Sequence, residues 1–285
     1  MKTLENYLHE QHHTAQTIKS YLYTVSVFLS SHPKADEYKH QDILNYMSDV
    51  RKFYPDTYTS NTVLAGIKKY YDYLIEIGKR NFHPCKTLYL KSKRTRDIIH
   101  QDLFSSKELE ILMEREERYA DNKLRNQTIV SLLIYQGLSV SEIIHLKTEH
   151  INLENGIIFI KESKQHSQRH LEIHPKQFNL LYRLIHEVKR EAQVQTVLTG
   201  STGKPLNNEH FNYLIFTYKP LFPDRNLNTK TIRQSVIANW LNEKKIPLEQ
   251  VQLLAGHRWT SSTERYKQNN LNEQRTLINK WFPLN

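Results

Sequence analysis

Three segments in the second half of this 285-residue chain carry side chains suited to nucleophilic chemistry. The first is Tyr135-Gln136-Gly137-Leu138-Ser139-Val140-Ser141-Glu142. The second is Thr229-Lys230-Thr231-Ile232-Arg233. The third is Leu254-Ala255-Gly256-His257, followed nine residues later by Tyr266 within Thr263-Glu264-Arg265-Tyr266. A tyrosine offers a nucleophilic oxygen, but its ordinary pKa is near 10, so attack at neutral pH needs a proton acceptor and cationic surroundings. Arginine brings a planar fork of fixed positive charge. Histidine brings a donor or a proton carrier. Singly these residues mean little, since the chain holds 15 His and 17 Tyr. Their order and spacing are the signal.

Composition bounds what such a group could be. With 7 glycines, a Gly-rich phosphate loop is excluded, and the single cysteine, Cys85, excludes an internal disulfide and a thiolate metal cluster. His12-His13 and the series His166, His170, His174 do not form a metal set: the latter has i,i+4 spacing on a turn-and-strand segment, where the rings would not converge. The expected metal content is none. The strongest apolar stretch, around Ile129–Tyr135, is far short of the roughly 20 residues needed to span a bilayer, and Met1–Gln11 lacks an apolar signal core. A cytoplasmic protein with no membrane partner is expected.

Forty Lys+Arg against 30 Asp+Glu leave a formal net charge of +10. Residues 1–103 hold 15 Lys+Arg against 11 Asp+Glu, so both halves share the excess. Two basic domains fit a protein that grips a polyanion from two sides; a merely solvated basic surface is the bland alternative.

The elements that must position the chemistry follow from periodicity. Thr14 precedes a helical stripe at Ile18, Tyr21, Leu22, Val25, Phe28 and Leu29. Ile43, Tyr46, Met47 and Val50 predict a second helix. Ser60 leads into a third, over Val63 to Ile77, stopped at Gly78. Residues 1–90 thus read as a helical domain, and 91–103 as a basic linker containing Lys91, Lys93, Arg94 and Arg96. In 104–285, Ser105 and Glu108 have capping-box spacing. Ile129–Gly137 reads as a buried helix, and Ser141-Glu142 as the cap of a short one. Ile157–Ile160 and Leu171–Ile173 read as short strands. Helices are expected over Phe178–Val188, Thr229–Leu241 and from Pro247 to Gly256. Leu277, Ile278, Trp281 and Phe282 make a terminal apolar patch.

With these segments in place, the chain resembles the tyrosine recombinases of the phage-integrase and Xer type, over nearly its whole length. The resemblance implies a mainly α fold with a small β-sheet: a helical, SAM-like core-binding domain, then a mixed α/β catalytic domain. It implies site-specific DNA recombination without metal, ATP or other cofactor. A tyrosine attacks a phosphodiester, leaving a 3′-phosphotyrosyl bond and a free 5′-hydroxyl that another strand uses to rejoin. Tyr266 would be the nucleophile, Arg233 the forked donor, His257 a phosphate donor or proton carrier. A lysine in the strand turn, here Lys161 or the better-matching Lys164, would protonate the leaving oxygen.

Two positions depart from that pattern. Ser139 stands where the family has its first arginine, and serine cannot form a charged bidentate clamp. Lys230 stands where histidine is usual, and partly offsets the lost charge; Arg169 or Arg258 could also swing in. Glu142 braces that arginine in the family, so its role here is open. The resemblance further implies double-stranded DNA as partner, with Lys68, Lys69, Lys91, Lys93, Arg94 and Arg96 as contacts, although Lys68 and Lys69 could be merely solvated. It also implies a tetramer on DNA joined through the terminal apolar patch, with an accessory DNA-bending or partner recombinase conceivable, in association with the nucleoid. The two unusual positions favour a mobile-element or inversion role over replication-termination housekeeping. Two alternatives stay open: a DNA-binding protein that lost cleavage through Ser139, and a monomeric type IB topoisomerase.

Overall fold

A computed structural model describes residues 2–90, 98, 102–117, 119–187, 195–200 and 203–267. The linker residues Lys91, Lys93, Arg94 and Arg96 and the patch at Leu277, Ile278, Trp281 and Phe282 lie outside them. The chain divides into two units, Met1–Arg96 and Asp97–Asn285. The structure is mainly α with a small antiparallel sheet.

The first unit packs α1 (Leu4–Glu10), α2 (Ala15–Ser31), α3 (His40–Phe53) and α4 (Thr57–Glu76) around Phe28, Ile43, Met47, Ile67 and Tyr71. Thr14 caps α2, its hydroxyl accepting from the Thr17 amide. The cap of α4 is Asp56, not Ser60: the Asp56 carboxylate accepts from the Thr59 amide at 3.1 Å, and Ser60 instead donates to the Tyr54 carbonyl. α1 forms in a stretch that reads as polar, because Thr3 caps it and one face buries Tyr7 and Leu8.

The second unit contains α5 (Ser106–Glu114), α6 (Ala120–Tyr135), α7 (Val140–Ile144), β1 (Ile151–Asn152), β2 (Ile157–Ile160), β3 (Arg169–Glu172), α8 (Pro175–His186), α9 (Asn208–Phe216), α10 (Thr229–Asn242), α11 (Leu248–Ala255) and α12 (Thr260–Glu264). The strands run in the order β1-β2-β3, with Ile160 opposite Arg169. α9 and β1 are too short and weakly patterned to be read from periodicity. Ser105 and Glu108 make the expected capping box. At α7 the cap is Ser139, two residues before the expected Ser141, again with Glu142 as its partner.

The end of α6, β3 and α8 are joined by a buried amide pair. Gln136 donates to the Gln177 side chain at 2.6 Å and to the Glu172 carbonyl, while Gln177 donates back to Gln136 at 2.8 Å and to Ser131. Gln177→Leu should strand the Gln136 side-chain carbonyl and the His174 amide and cost about 1–3 kcal/mol in urea denaturation, with Gln136→Leu added to it recovering only part of the loss, because the mutual amide pair is then removed from both sides while the Glu172 carbonyl loses its donor.

Candidate active site

α10 brings Arg233 inward between core residues Ile232 and Val236. Its guanidinium donates to the Gly137 carbonyl, and to the Ala255 carbonyl at 2.6 Å. It thereby ties the turn before α7 to the end of α11. Gly137 and Gly256 occupy the left-handed region with φ of 58° and 67°, which glycine adopts without strain.

α11 ends at Gly256, and His257 follows directly. Its Nδ1 meets the Thr263 hydroxyl at 2.8 Å, leaving Nε2 as the other ring nitrogen. α12 then returns the chain so that the Tyr266 ring stacks on His257, centroids 6.0 Å apart and planes 20° off parallel. The Tyr266 backbone is held by the Asn242 amide at 2.9 Å. Tyr266 is only 9% exposed. Burial raises its pKa, partly countered by Arg233, Arg265 and a hydrogen bond with Gln234, so the resting phenol is protonated. Burial, with Arg233, His166 and Arg169 close by, pulls His257 down to about 4, so its ring is neutral at neutral pH and able to take a proton.

Glu142, from the first turn of α7, is the anionic centre of the group. Its Oε2 accepts from the Ser139 amide and hydroxyl, both at 2.8 Å, and Arg233 Nη1 lies 3.5 Å from it. Its Oε1 accepts from Arg169 at 2.7 Å. Burial opposes its charge, but Arg169 and Arg233 outweigh that and hold it down to about 2. Arg169, at the start of β3, also donates from Nε to the Leu254 carbonyl at 2.8 Å. Of the two arginines named as able to swing in, Arg169 reaches the site; Arg258 instead pairs with Glu162 at 2.8 Å. The pairing of Arg169 with Glu142 is not legible in the sequence, since no local spacing connects residues on a helix and a distant strand.

The remaining expected residues lie elsewhere. Lys164 sits exposed in the strand turn and Lys230 exposed at the start of α10, and neither side chain makes a hydrogen bond or ion pair to a described residue. In the first unit, Lys68 donates to the Lys86 carbonyl and lies over the Tyr89 ring, and Lys69 pairs with Asp72 at 3.2 Å. Tyr70 and Tyr71 are core residues. Among the described residues no group of three or more His, Cys, Asp or Glu could hold a metal ion, and no helix is long and apolar enough to cross a membrane.

Comparison with known proteins gives one picture. The pattern of the Phage integrase family matches residues 103–273. The chain is 24% identical over 276 residues to the tyrosine recombinase XerC of Rickettsia massiliae (strain Mtu5), covering 94% of this chain and 88% of that one. Its fold is similar to the XerH site-specific recombinase bound to difH substrate in a pre-cleavage complex, with a TM-score of 0.70 at 18% identity, over 93% of this chain and 79% of that one. It is similar also to the Tn1549 transposon integrase in complex with transposon right end DNA, with a TM-score of 0.71 at 12% identity, over 98% of each chain.

Two outcomes test the geometry. Gly256→Ala should lower stability by at least about 1 kcal/mol, since an L residue is strained in the left-handed region and its Cβ would lie 2.5 Å from Arg169 Nη1; thermal unfolding measures it. His257 is harder to protonate folded than unfolded, where its pKa is near 6.5, so the stability it contributes is complete above 6.5 and lost as pH falls toward 4. Glu142 adds a second loss between 4.5 and about 2. His257→Asn should flatten Tm against pH in the upper window alone.

Proposed function

The chain belongs to the phage integrase family, and we propose that it is a site-specific DNA recombinase that cuts and rejoins duplex DNA through a 3′-phosphotyrosyl bond at Tyr266. One observation carries this reading. The only tyrosine stacked on His257 among the described residues is Tyr266, the residue nine positions on, and Arg233 lies close enough to lower its pKa.

On this reading the steps follow from the side chains. Arg233 keeps donors beyond the two spent on Gly137 and Ala255, and its fixed charge faces a phosphoryl group whose transition state spreads negative charge over its oxygens. The neutral His257 ring takes the proton that Tyr266 must lose, or donates from Nε2 to the phosphate. As the Tyr266 oxygen bonds to phosphorus, the bond to the 5′-oxygen breaks, and Lys164 supplies the proton to that leaving oxygen. Lys164 is exposed and unengaged, as a residue must be that meets DNA only on binding. Lys230 adds positive charge at the start of α10. Attack by a 5′-hydroxyl on the phosphotyrosine reverses the sequence and regenerates Tyr266, so no energy source is consumed.

Double-stranded DNA is the partner, with Lys68, Lys69, Lys91, Lys93, Arg94 and Arg96 contributing phosphate contacts that set affinity more than sequence choice. Strand exchange calls for a tetramer, joined through the apolar residues Leu277, Ile278, Trp281 and Phe282. Movement of a mobile element or inversion of a DNA segment is the role we favour over chromosomal housekeeping, on the atypical Ser139 and Lys230.

The test is a nicked suicide duplex carrying the cognate site, sought beside the coding sequence in its genome. The wild type should form a covalent protein–DNA adduct that Tyr266→Phe abolishes while still binding the duplex. Adduct formation by Tyr266→Phe, or none by the wild type on DNA it binds, refutes the reading; the second outcome is what a binder that lost cleavage would give. Lys230→Ala should slow adduct formation by about 10-fold or more, the usual scale for a transition-state donor.

A further inference from the structure

Two guanidinium groups share one buried carboxylate. Arg169 and Glu142 meet with side chains 5% and 4% exposed, and Arg233 approaches the other carboxylate oxygen with its side chain 11% exposed. The other ionisable rings at this cluster, His166 and His257, are kept neutral chiefly by burial. Two fixed positive charges therefore stand against one negative, and a buried cluster with an uncompensated charge is costly unless an anion joins it.

A second observation concerns Arg169 alone. Its Nε is spent on the Leu254 carbonyl, and its Nη1 on Glu142 and, at 3.4 Å, the Ser167 carbonyl. Its Nη2 is buried with no partner. Unpaired buried donors are rare in folded proteins. The chain makes room for this side chain, since at Gly256 any Cβ would fall 2.5 Å from Nη1. Arg169 and Arg233 also hold successive carbonyls, Leu254 and Ala255, immediately before Gly256-His257.

We propose that Arg169 is the second arginine of an anion-holding centre, and does from β3 what an arginine at position 139 would do from the start of α7. Its unpaired Nη2 is the donor it offers to that anion. By taking Oε1 of Glu142 at 2.7 Å it leaves Arg233 only the longer, 3.5 Å approach to Oε2, and through the Leu254 carbonyl it helps fix the turn that carries His257. Ser139 is then free to cap α7 through the other carboxylate oxygen. The identity of the anion as a DNA phosphodiester rests on the recombinase reading; the anion centre does not.

The experiment has two arms on the full chain. In the first, inorganic phosphate is titrated into the protein and the His257 and His166 ring signals are followed by NMR. The wild type should respond saturably. Arg169→Ala should weaken phosphate about 10-fold or more, Arg169→Lys less, and Ser139→Arg/Arg169→Ala should recover most of the loss. In the second arm, Arg169→Ala should slow adduct formation by about 10²-fold while duplex affinity changes by less than about threefold, a loss confined to the chemical step. If Arg169→Ala does not fold, Arg169→Lys and the double variant carry both arms. No phosphate response in the wild type, unchanged phosphate affinity in Arg169→Ala, or a double variant no better than the single one overturns the proposal. A wild type that responds to phosphate yet forms no adduct overturns the recombinase reading instead, and supports the anion centre.

Discussion

Glu142 keeps an ionised carboxylate with its side chain only 4% exposed, and an isolated charge cannot do that. Moving a carboxylate out of water costs many kcal/mol unless counter-charges and hydrogen bonds replace the water. Each neighbour answers that requirement. Ser139 supplies a hydroxyl and an amide, Arg169 a short ion pair, Arg233 a longer one. These groups come from the turn before α7, from β3 and from α10. Once the carboxylate is in place, three elements distant in sequence have one permitted arrangement. His257 inherits its position from that arrangement, because both arginines grip the last carbonyls of α11.

Much of this organisation is legible in the residues themselves. Thr14, Ser105 and Gly256 mark element ends by local chemistry, and local chemistry is what a sequence displays. Arg233, His257 and Tyr266 are legible as a set because their order and spacing are unusual among 15 histidines and 17 tyrosines. Misplaced caps share a cause: Ser60 and Ser141 lie near a true cap, and a serine in the first turn looks the same as one at the cap until backbone angles are known. α1 escapes notice because two apolar residues suffice to anchor a short helix whose other positions are polar. The pairing of Arg169 with Glu142 is a tertiary fact, made across 27 positions by a sheet that turns back on itself. No periodicity encodes it.

The same contrast separates the two kinds of cation in the chain. Arg169 and Arg233 are buried and anchored by protein partners while each keeps a donor unspent, and their geometry is set before any ligand arrives. Lys164 and Lys230 are exposed and uncommitted. Arginine suits the first role because its fork satisfies several acceptors at once and its charge survives burial. Lysine suits the second because a strongly hydrated, flexible ammonium costs little to leave in water until a partner appears.

Tyr266 is 9% exposed, with its pKa raised by burial. On the role proposed for Tyr266, a protein that carries a phosphate-attacking oxygen through a cell crowded with nucleic acid runs the risk of breaking strands at random. A sheathed, protonated phenol is blunt in such chance encounters. Sharpness then has to come with the correct duplex, which must both uncover the oxygen and bring the charge that draws off its proton. Genome safety would in that sense be a property of the resting fold, earlier than any reading of bases.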